Sequence, residues 1–393
     1  MKKKEVNSSR TPIYRDAGFE LYDAETTARA FRNEIKPAHK PELYIYSRYR
    51  NPTVVAAEEE IMKLEGTTWA LLTQSGMSAI DTAISIFQKG KTTSPWLFFS
   101  EIYGGTISFA ESILKSRRGL DIHSFNPVKE RYDLISFESL VKKLKPEILY
   151  IESISNPMLI VPDAANVIKI AKKYGVVVIV DNTFATPDLW RPTDSGADIV
   201  VHSATKYFSG HGNLTAGVLC GNDPHFFKAA IEYRKFIGHM LSPDDAYRLQ
   251  TQIKTFTLRF RQQCRNAHQV AELLAKSKKV NKVWYPGLKG HPSHSEALNL
   301  FGSKGFGAMV TFDFAGKTKP EKGKNRDQFI KIVSDKIKLI PTLGDAHTIL
   351  MPVESVWGAK YPEPGMIRLS AGFEDTEELL STILKGLNAI ASR

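Results

Sequence analysis

The chain is predicted to be an α/β protein: a mostly parallel sheet with right-handed crossovers, followed by a smaller α+β domain and preceded by an extended arm. Three observations carry this. Apolar strand-like runs alternate with helical stretches between residues 58 and 201, the pattern of a parallel sheet. One of those runs, Val176 to Val180, is continuously β-branched, as in a strand buried on both faces. After Thr255 the alternation stops and helical stretches surround two isolated strands.

The elements follow in order. The first fifty residues are rich in Arg and Tyr and weakly periodic, and they end in Tyr44-Ile45-Tyr46-Ser47-Arg48-Tyr49-Arg50-Asn51-Pro52. They read as an arm that lies on something else. Glu58 to Leu64 reads as a helix stopped by Gly66, and Thr68 to Thr73 as a strand. Ser75-Gly76-Met77 opens a helix with Ile80, Ala83, Ile84 and Phe87 on one face, which is helical spacing. Trp96 to Phe99 and Glu147 to Glu152 read as strands. Asp163 is an N-cap candidate for a helix that buries Val167, Ile170, Ala171 and Tyr174 and ends at Gly175. Ile199 to Val201 is a further strand, and Gly307 to Phe314 and Met366 to Ser370 are the strands of the smaller domain. The expected division is an arm over 1–50, a large domain over 51–255 and an α+β domain over 256–393. Its boundary runs through a long helix around Ala246 to Arg265.

Composition narrows the function. The 393 residues hold 53 Lys and Arg against 42 Asp and Glu, a net charge of +11, with 42% hydrophobic residues. That balance is an ordinary globular one. No apolar run reaches about 18 residues, so no membrane helix is expected. Met1-Lys2-Lys3-Lys4-Glu5 is basic, but no apolar core follows it, so no secretory signal is expected. Two cysteines, Cys220 and Cys264, make no disulfide framework, and a reducing, cytoplasmic setting is expected. The basic residues are scattered; Lys317 to Lys324 reads as a solvated loop. A nucleic-acid surface needs a continuous basic stripe, so neither nucleic acid nor membrane is expected as a partner. Lys89-Gly90-Lys91-Thr92 lacks the first glycine of a P-loop, Ser85 standing in its place. His291 and His294 flank Pro292 without nearby thiolates. A structural or surface role suits them better than metal ligation.

Three loops at strand ends carry chemistry-bearing residues. Val176 to Val180 runs into Asp181-Asn182-Thr183, and ligands of open α/β sheets bind at carboxyl ends of strands. By itself Asp181 is equally well a turn or cap residue. Ser203-Ala204-Thr205-Lys206 follows the strand at Ile199. Its hydroxyls can hold a phosphate and its lysine can form a Schiff base, although a lone lysine is more often a surface one. Ser75-Gly76-Met77 offers free N–H groups at a helix start, an anion site. Tyr103-Gly104-Gly105 follows the strand at Trp96 and puts an aromatic ring at the same sheet edge. A lysine, a carboxylate, a phosphate cradle and an aromatic ring together describe pyridoxal 5′-phosphate (PLP).

From Tyr46-Ser47-Arg48 to Ser370-Ala371-Gly372-Phe373-Glu374-Asp375 the sequence resembles the Cys/Met-metabolism family of PLP-dependent enzymes. These are the cystathionine γ-synthases, cystathionine γ-lyases, methionine γ-lyases and O-acetylhomoserine sulfhydrylases. Val180-Asp181-Asn182-Thr183 and His202-Ser203-Ala204-Thr205-Lys206-Tyr207 carry the resemblance. It implies the aspartate-aminotransferase-like PLP fold type I, Lys206 as the Schiff-base lysine and Asp181 as partner of the pyridine nitrogen. Gly76, Met77, Ser203 and Thr205 would hold the phosphate, and Tyr103 would stack on the ring and serve as an acid. Tyr46 and Arg48 would reach the phosphate of a neighbouring subunit, which implies a dimer of catalytic sites, commonly within a tetramer. Asn156 and Thr342 would contact the cofactor or substrate, and Arg368 would clamp the substrate α-carboxylate, a task suited to guanidinium.

The resemblance implies γ-elimination from a sulfur-containing or other γ-substituted amino acid. Its rivals are a γ-replacement transferase and a PLP-binding regulatory protein with little catalysis. Several positions depart from the family pattern. Gly105 stands where methionine γ-lyases usually have cysteine, as in the cystathionine enzymes, Pro341 where cystathionine γ-lyases often carry glutamate, and His347 where many members have an acid. Pro352-Val353-Glu354-Ser355-Val356-Trp357 replaces the usual Met-Thr-His segment, and Arg234-Lys235 stands in place of a Lys-Asp pair. These departures read either as drift on a tolerant rim or as a pocket altered for a non-standard substrate.

Overall fold

The computed structural model describes residues 10–34, 40–88, 90, 94–358 and 360–390. The Lys2 to Lys4 tail and Lys89, Lys91 and Thr92 lie outside the described residues.

Seven strands build the larger sheet: β1 (Trp69–Thr73), β2 (Trp96–Phe99), β3 (Ile122–Phe125), β4 (Ile148–Glu152), β5 (Val177–Asp181), β6 (Ile199–His202) and β7 (Gly217–Gly221). Their order is β1-β7-β6-β5-β4-β2-β3. From β6 to β3 every pairing is parallel. β7 runs antiparallel between β1 and β6. The central strands are buried along almost their whole length, so backbone polar groups pair within the sheet and both faces take apolar side chains. The register sets Glu152 beside Asp181 and Asp181 beside Val201. The carboxyl ends of β4, β5 and β6 are therefore level, and the loops leaving them converge.

Local signals set the flanking helices. Asn51 caps Pro52–Glu65, with Pro52 at the first position where its missing N–H is harmless, and Gly66 ends it at φ 69°. Ser75 caps Gly76–Ser85 by accepting from the Ser78 N–H. That helix packs on β6 and β7 and buries Ile80, Ala83, Ile84 and, just beyond it, Phe87, the face its spacing predicts. Asp163 caps Ala164–Lys173. Val167 and Ala171 lie on its buried face as predicted, but Ile168 joins them while Ile170 and Tyr174 are only half-buried, so the stripe is rotated by about a sixth of a turn.

Five strands form the second sheet: β8 (Val280–Trp284), β9 (Met309–Phe314), β10 (Lys338–Leu339), β11 (Ile349–Pro352) and β12 (Met366–Ser370). The order is β10-β11-β12-β9-β8, antiparallel except for β10 with β11. Helices Phe256–Lys276, Lys319–Val333 and Thr376–Ala389 enclose a separate apolar core around Phe312, Phe329, Leu369 and Ile383.

Three expectations are corrected. The long helix around Ala246 to Arg265 is two helices, Pro243–Ile253 and Phe256–Lys276. At the break the Gln252 carbonyl accepts from Thr255 N–H and from the Arg259 guanidinium, which satisfies an orphan helix-end carbonyl. The presumed loop at Lys317 to Lys324 is mostly helix, because Thr318 caps it and Glu321 reaches back to the Lys317 N–H. The arm is not wholly extended, since Asp23 caps a helix over Ala24–Asn33. Among the described residues no helix is long and apolar enough to cross a membrane. Cys220 and Cys264 are buried and unpaired.

Candidate active site

The converging loops enclose a cavity of about 410 Å³ between the two sheets. Ser75 to Met77 reach it from the end of β1, Tyr103 from β2, Asn156 from β4, Asp181 and Thr183 from β5, and Ser203, Thr205 and Lys206 from β6. Thr342 and Arg368 reach it from the smaller sheet. Residues predicted from five separate strand ends thus meet in one space. Tyr46 and Arg48 are not among the residues lining it.

One end is built for an anion. Ser75 takes the Ser78 N–H, and the Ser75 carbonyl takes that of Ala79. The N–H groups of Gly76 and Met77 are left at the positive end of the helix dipole. A Cβ on Gly76 would stand 2.8 Å from Ser203 Cβ, so only glycine lets this helix start approach the β6 loop. The Thr205 hydroxyl donates to the Ala216 carbonyl at 3.1 Å and accepts the Ala216 N–H at 2.9 Å. Its proton is therefore committed to the backbone.

The sheet edge supplies two buried carboxyl groups. Asp181 accepts from Thr183 N–H at 3.0 Å and Thr183 hydroxyl at 2.6 Å on one oxygen, and from the Tyr150 hydroxyl at 3.1 Å on the other. No cation pairs with it among the described residues. Glu152, its neighbour in register, accepts the Tyr103 N–H at 2.5 Å. Burial, reinforced by the Asp181 charge, pushes the Glu152 carboxyl well above the usual carboxylate range. Tyr103 precedes helix Gly104–Phe109 and is half exposed. A Cβ on Gly105 would fall 2.4 Å from the Tyr103 ring. The departure at position 105 is what lets this ring lie back against the chain.

The opposite wall holds the cations. Lys206 Nζ donates to Thr342 Oγ1 at 2.7 Å, and burial, with the nearby Arg368 charge, pushes its pKa down to about 8. Arg368 is buried, donates to Asn156 Oδ1 and to the Thr342 carbonyl, each at 3.0 Å, and leaves Nε unpaired. Its Cζ lies 5.3 Å from the centroid of the Trp357 ring.

The other departures separate by location. Pro341, Val356 and Trp357 line the cavity. His347 is exposed and lines a different depression beside Asp345 and Glu374. Glu354 pairs with Arg326. Arg234 is not on a tolerant rim: it is buried, bonds Glu58, the Leu72 carbonyl and the Tyr49 carbonyl, and so fastens the arm to β1. Lys235 pairs with Glu34 of the arm, and its carbonyl accepts from Arg48. His291 is buried against Ser293, and His294 meets the Pro286 carbonyl.

Glu152, Tyr150 and Thr183 complete the site without having been assigned a role from sequence, and Trp357 stands out in the sequence only as part of a segment that departs from the family. Glu152 ends an apolar strand as Asp181 does, so the same signal marks it. Trp357 sits on a four-residue helix, too short to leave a periodic trace.

The donor set fits PLP. A helix start faces a half-buried amine without a carboxylate partner, a buried carboxylate without a cation and a guanidinium with an orphan N–H, all among the described residues. These are buried groups that a ligand of complementary charge would satisfy.

Comparison with known proteins agrees. The family described as "Cys/Met metabolism PLP-dependent enzyme" matches residues 1–388. The chain is 33% identical over 393 residues to L-methionine gamma-lyase of Pseudomonas putida, covering 97% of this chain and 92% of that one. It is 34% identical over 359 residues to cystathionine beta-lyase of Lactococcus lactis subsp. cremoris, covering 88% and 89%. The crystal structure of cystathionine gamma synthase from Xanthomonas oryzae pv. oryzae in complex with aminoacrylate and cysteine superposes with a TM-score of 0.84 at 28% identity, covering 97% and 93%.

Proposed function

We propose that this chain, which belongs to the Cys/Met metabolism PLP-dependent enzymes, is a γ-elimination lyase. It would convert a γ-substituted, sulfur-containing amino acid to a 2-oxo acid, ammonia and the leaving group. One observation favours this reading over γ-replacement by an amino-acid nucleophile. Of the described residues that line the cavity, only Lys206 and Arg368 are cationic. With Lys206 devoted to the cofactor, and an Arg48 delivered by a neighbouring arm devoted to its phosphate, a single guanidinium remains, enough for one amino-acid carboxylate. A second amino acid, the nucleophile of cystathionine synthesis, would bring a carboxylate with no cation to meet it, and burying an unpaired charge is costly.

Gly76 and Met77 N–H groups with the Ser203 hydroxyl would hold the PLP phosphate, with Thr205 shaping the loop, and Asp181 would face the ring nitrogen and keep it protonated. Tyr103 would lie over the ring. When bound, PLP supplies an electron sink for bonds breaking at the substrate's α and β carbons. Arg368 orients the substrate through its carboxylate, and Asn156 and the Thr342 carbonyl keep that guanidinium from turning. Lys206 moves protons at Nζ. Its lowered pKa favours the neutral amine, the form that accepts a proton, and the Thr342 hydroxyl holds Nζ in place. Tyr103 is the proposed acid toward the departing group. Thr183 and Tyr150 fix the orientation of the Asp181 carboxylate.

We further propose a homodimer of catalytic sites, commonly paired into a tetramer, in the cytoplasm. The arm residues Tyr46 and Arg48 lie away from their own chain's cavity, Tyr46 is exposed, and the Arg48 guanidinium rests on the Tyr46 and Tyr49 rings. Such an arm suits delivery to a neighbour. Two unpaired thiols suit a reducing compartment.

The test is a product assay across methionine, cystathionine and acylhomoserines with and without an added thiol. Release of 2-oxo acid and ammonia without thiol is the expected result. Turnover that requires a thiol would establish the transferase instead.

A further inference from the structure

We propose that Trp357 is a specificity-determining residue, closing the cavity against the Arg368 guanidinium and confining the substrate's γ-substituent to a small, uncharged group. The proposal deepens the lyase reading and rests on it for the placement of the substrate.

Trp357 belongs to a strap outside the two main cores and packs at the edge of a small apolar cluster around Val353 and Met366. The strap leaves the smaller sheet at Pro352, where Val353 N–H still bonds the Met366 carbonyl. It forms the short helix Glu354–Trp357 and is then fastened to the loop of the larger sheet that carries Tyr103. There Lys360 Nζ lies 2.7 Å from Glu101 and donates to the Ser100 carbonyl at 3.0 Å, while the Tyr361 hydroxyl also bonds Glu101. Anchored on both sides, the strap carries the indole across the gap between the two sheets. One part of the ring stacks on Arg368, with Cζ 5.3 Å from its centroid. Its Nε1 edge stands 3.4 Å from where a Cβ on Gly104 would be. The indole thus spans from the proposed carboxylate clamp to the residue after Tyr103.

Two consequences follow. Arg368 is held by two hydrogen bonds and one stacked face, so its remaining N–H edge points in one direction, as bidentate carboxylate recognition requires. The γ-substituent is placed in this proposal against the apolar part of the lining, Trp357, Val356, Met351, Ile154 and Phe184, none of which can pair a charge. A methyl or other short alkyl thioether fits that lining; the far end of a bis-amino acid does not.

The test uses holoenzyme and two isosteres that lack a leaving group: L-norleucine for methionine and 2,7-diaminosuberate for cystathionine. Binding is measured by calorimetry, and kcat and KM for the two parent substrates are measured alongside. The intact enzyme is expected to prefer norleucine by at least about tenfold, the scale of pocket discrimination. Trp357→Ala is expected to erase most of that preference and to raise KM for methionine more than it lowers kcat. Trp357→Phe should keep the preference. Tyr361→Phe, which loosens the strap without touching the cavity, should shift it part of the way. Equal binding of both isosteres by the intact enzyme, or a preference that Trp357→Ala leaves unchanged, would overturn the proposal. Selective norleucine binding without turnover of any γ-substituted amino acid would support the gate while refuting the lyase reading.

Discussion

Lys206 Nζ donates to Thr342 Oγ1 at 2.7 Å, joining the loop after β6 to the smaller sheet across 136 positions of chain. The amine has no carboxylate partner among the described residues. Its environment is set by burial and by a neighbouring guanidinium, both of which disfavour the ammonium form.

In cofactor-free protein, trinitrobenzenesulfonate should therefore label Lys206 with a midpoint near pH 8. Only the neutral amine reacts, and its fraction rises as pH rises through the lowered pKa of about 8. An ordinary lysine titrates near about 10.4, and a midpoint there would contradict the geometry. Arg368→Gln should move the midpoint upward by removing the repelling charge.

Asp181→Asn should lower turnover by at least about a hundredfold, near 2.7 kcal/mol of barrier, while the cofactor still binds. The amide keeps an acceptor for Thr183 but supplies no negative charge to the ring nitrogen. Steady-state kinetics on a variant of normal circular dichroism measures this. Activity within threefold of the parent would remove Asp181 from the proposed role.

Gly76→Ala should weaken retention of the cofactor more than it disturbs the fold. Its new Cβ would meet Ser203 Cβ at 2.8 Å, forcing the helix start away from the β6 loop and spoiling the phosphate cradle. Loss of PLP on dialysis, followed by absorbance, is the readout. Undiminished retention would show that the cradle lies elsewhere.

Arg234→Ala should destabilise the chain by an amount on the order of 3 kcal/mol, typical of breaking a buried ion pair. Glu58 would lose one of the two guanidiniums it meets, and the Leu72 and Tyr49 carbonyls would lose their donor. Melting temperature reports the stability change. Because Arg234 holds the arm, sedimentation should also show weakened subunit association. A variant with unchanged melting and assembly would return position 234 to the status of drift.

Much of the site was legible because its residues announce themselves locally. Asp181 ends an apolar strand, Ser75-Gly76 is a cap followed by a helix, and Ser203 to Lys206 gathers three functional groups in one turn. The elements that escaped notice lack local contrast. β7 contains two glycines and a cysteine, weak strand formers on their own. It is a strand because β1 and β6 supply hydrogen-bond partners on both edges. The Lys317 stretch was misread because its charges suggested solvent, whereas the cap at Thr318 sets the backbone.

The sequence by itself determined the fold class, the family and the cofactor that the family uses. Each of these depends on side chains within a few positions of one another or on an uninterrupted motif. Only the tertiary structure decided that Arg368 meets Asn156, that Arg234 serves the arm rather than the cavity, and that Trp357 covers the clamp. Those contacts join segments from dozens to more than two hundred residues apart, or lie on a strap anchored at both ends. Their geometry comes from the packing of helices, arm and sheets brought together from distant parts of the chain, which no local pattern records.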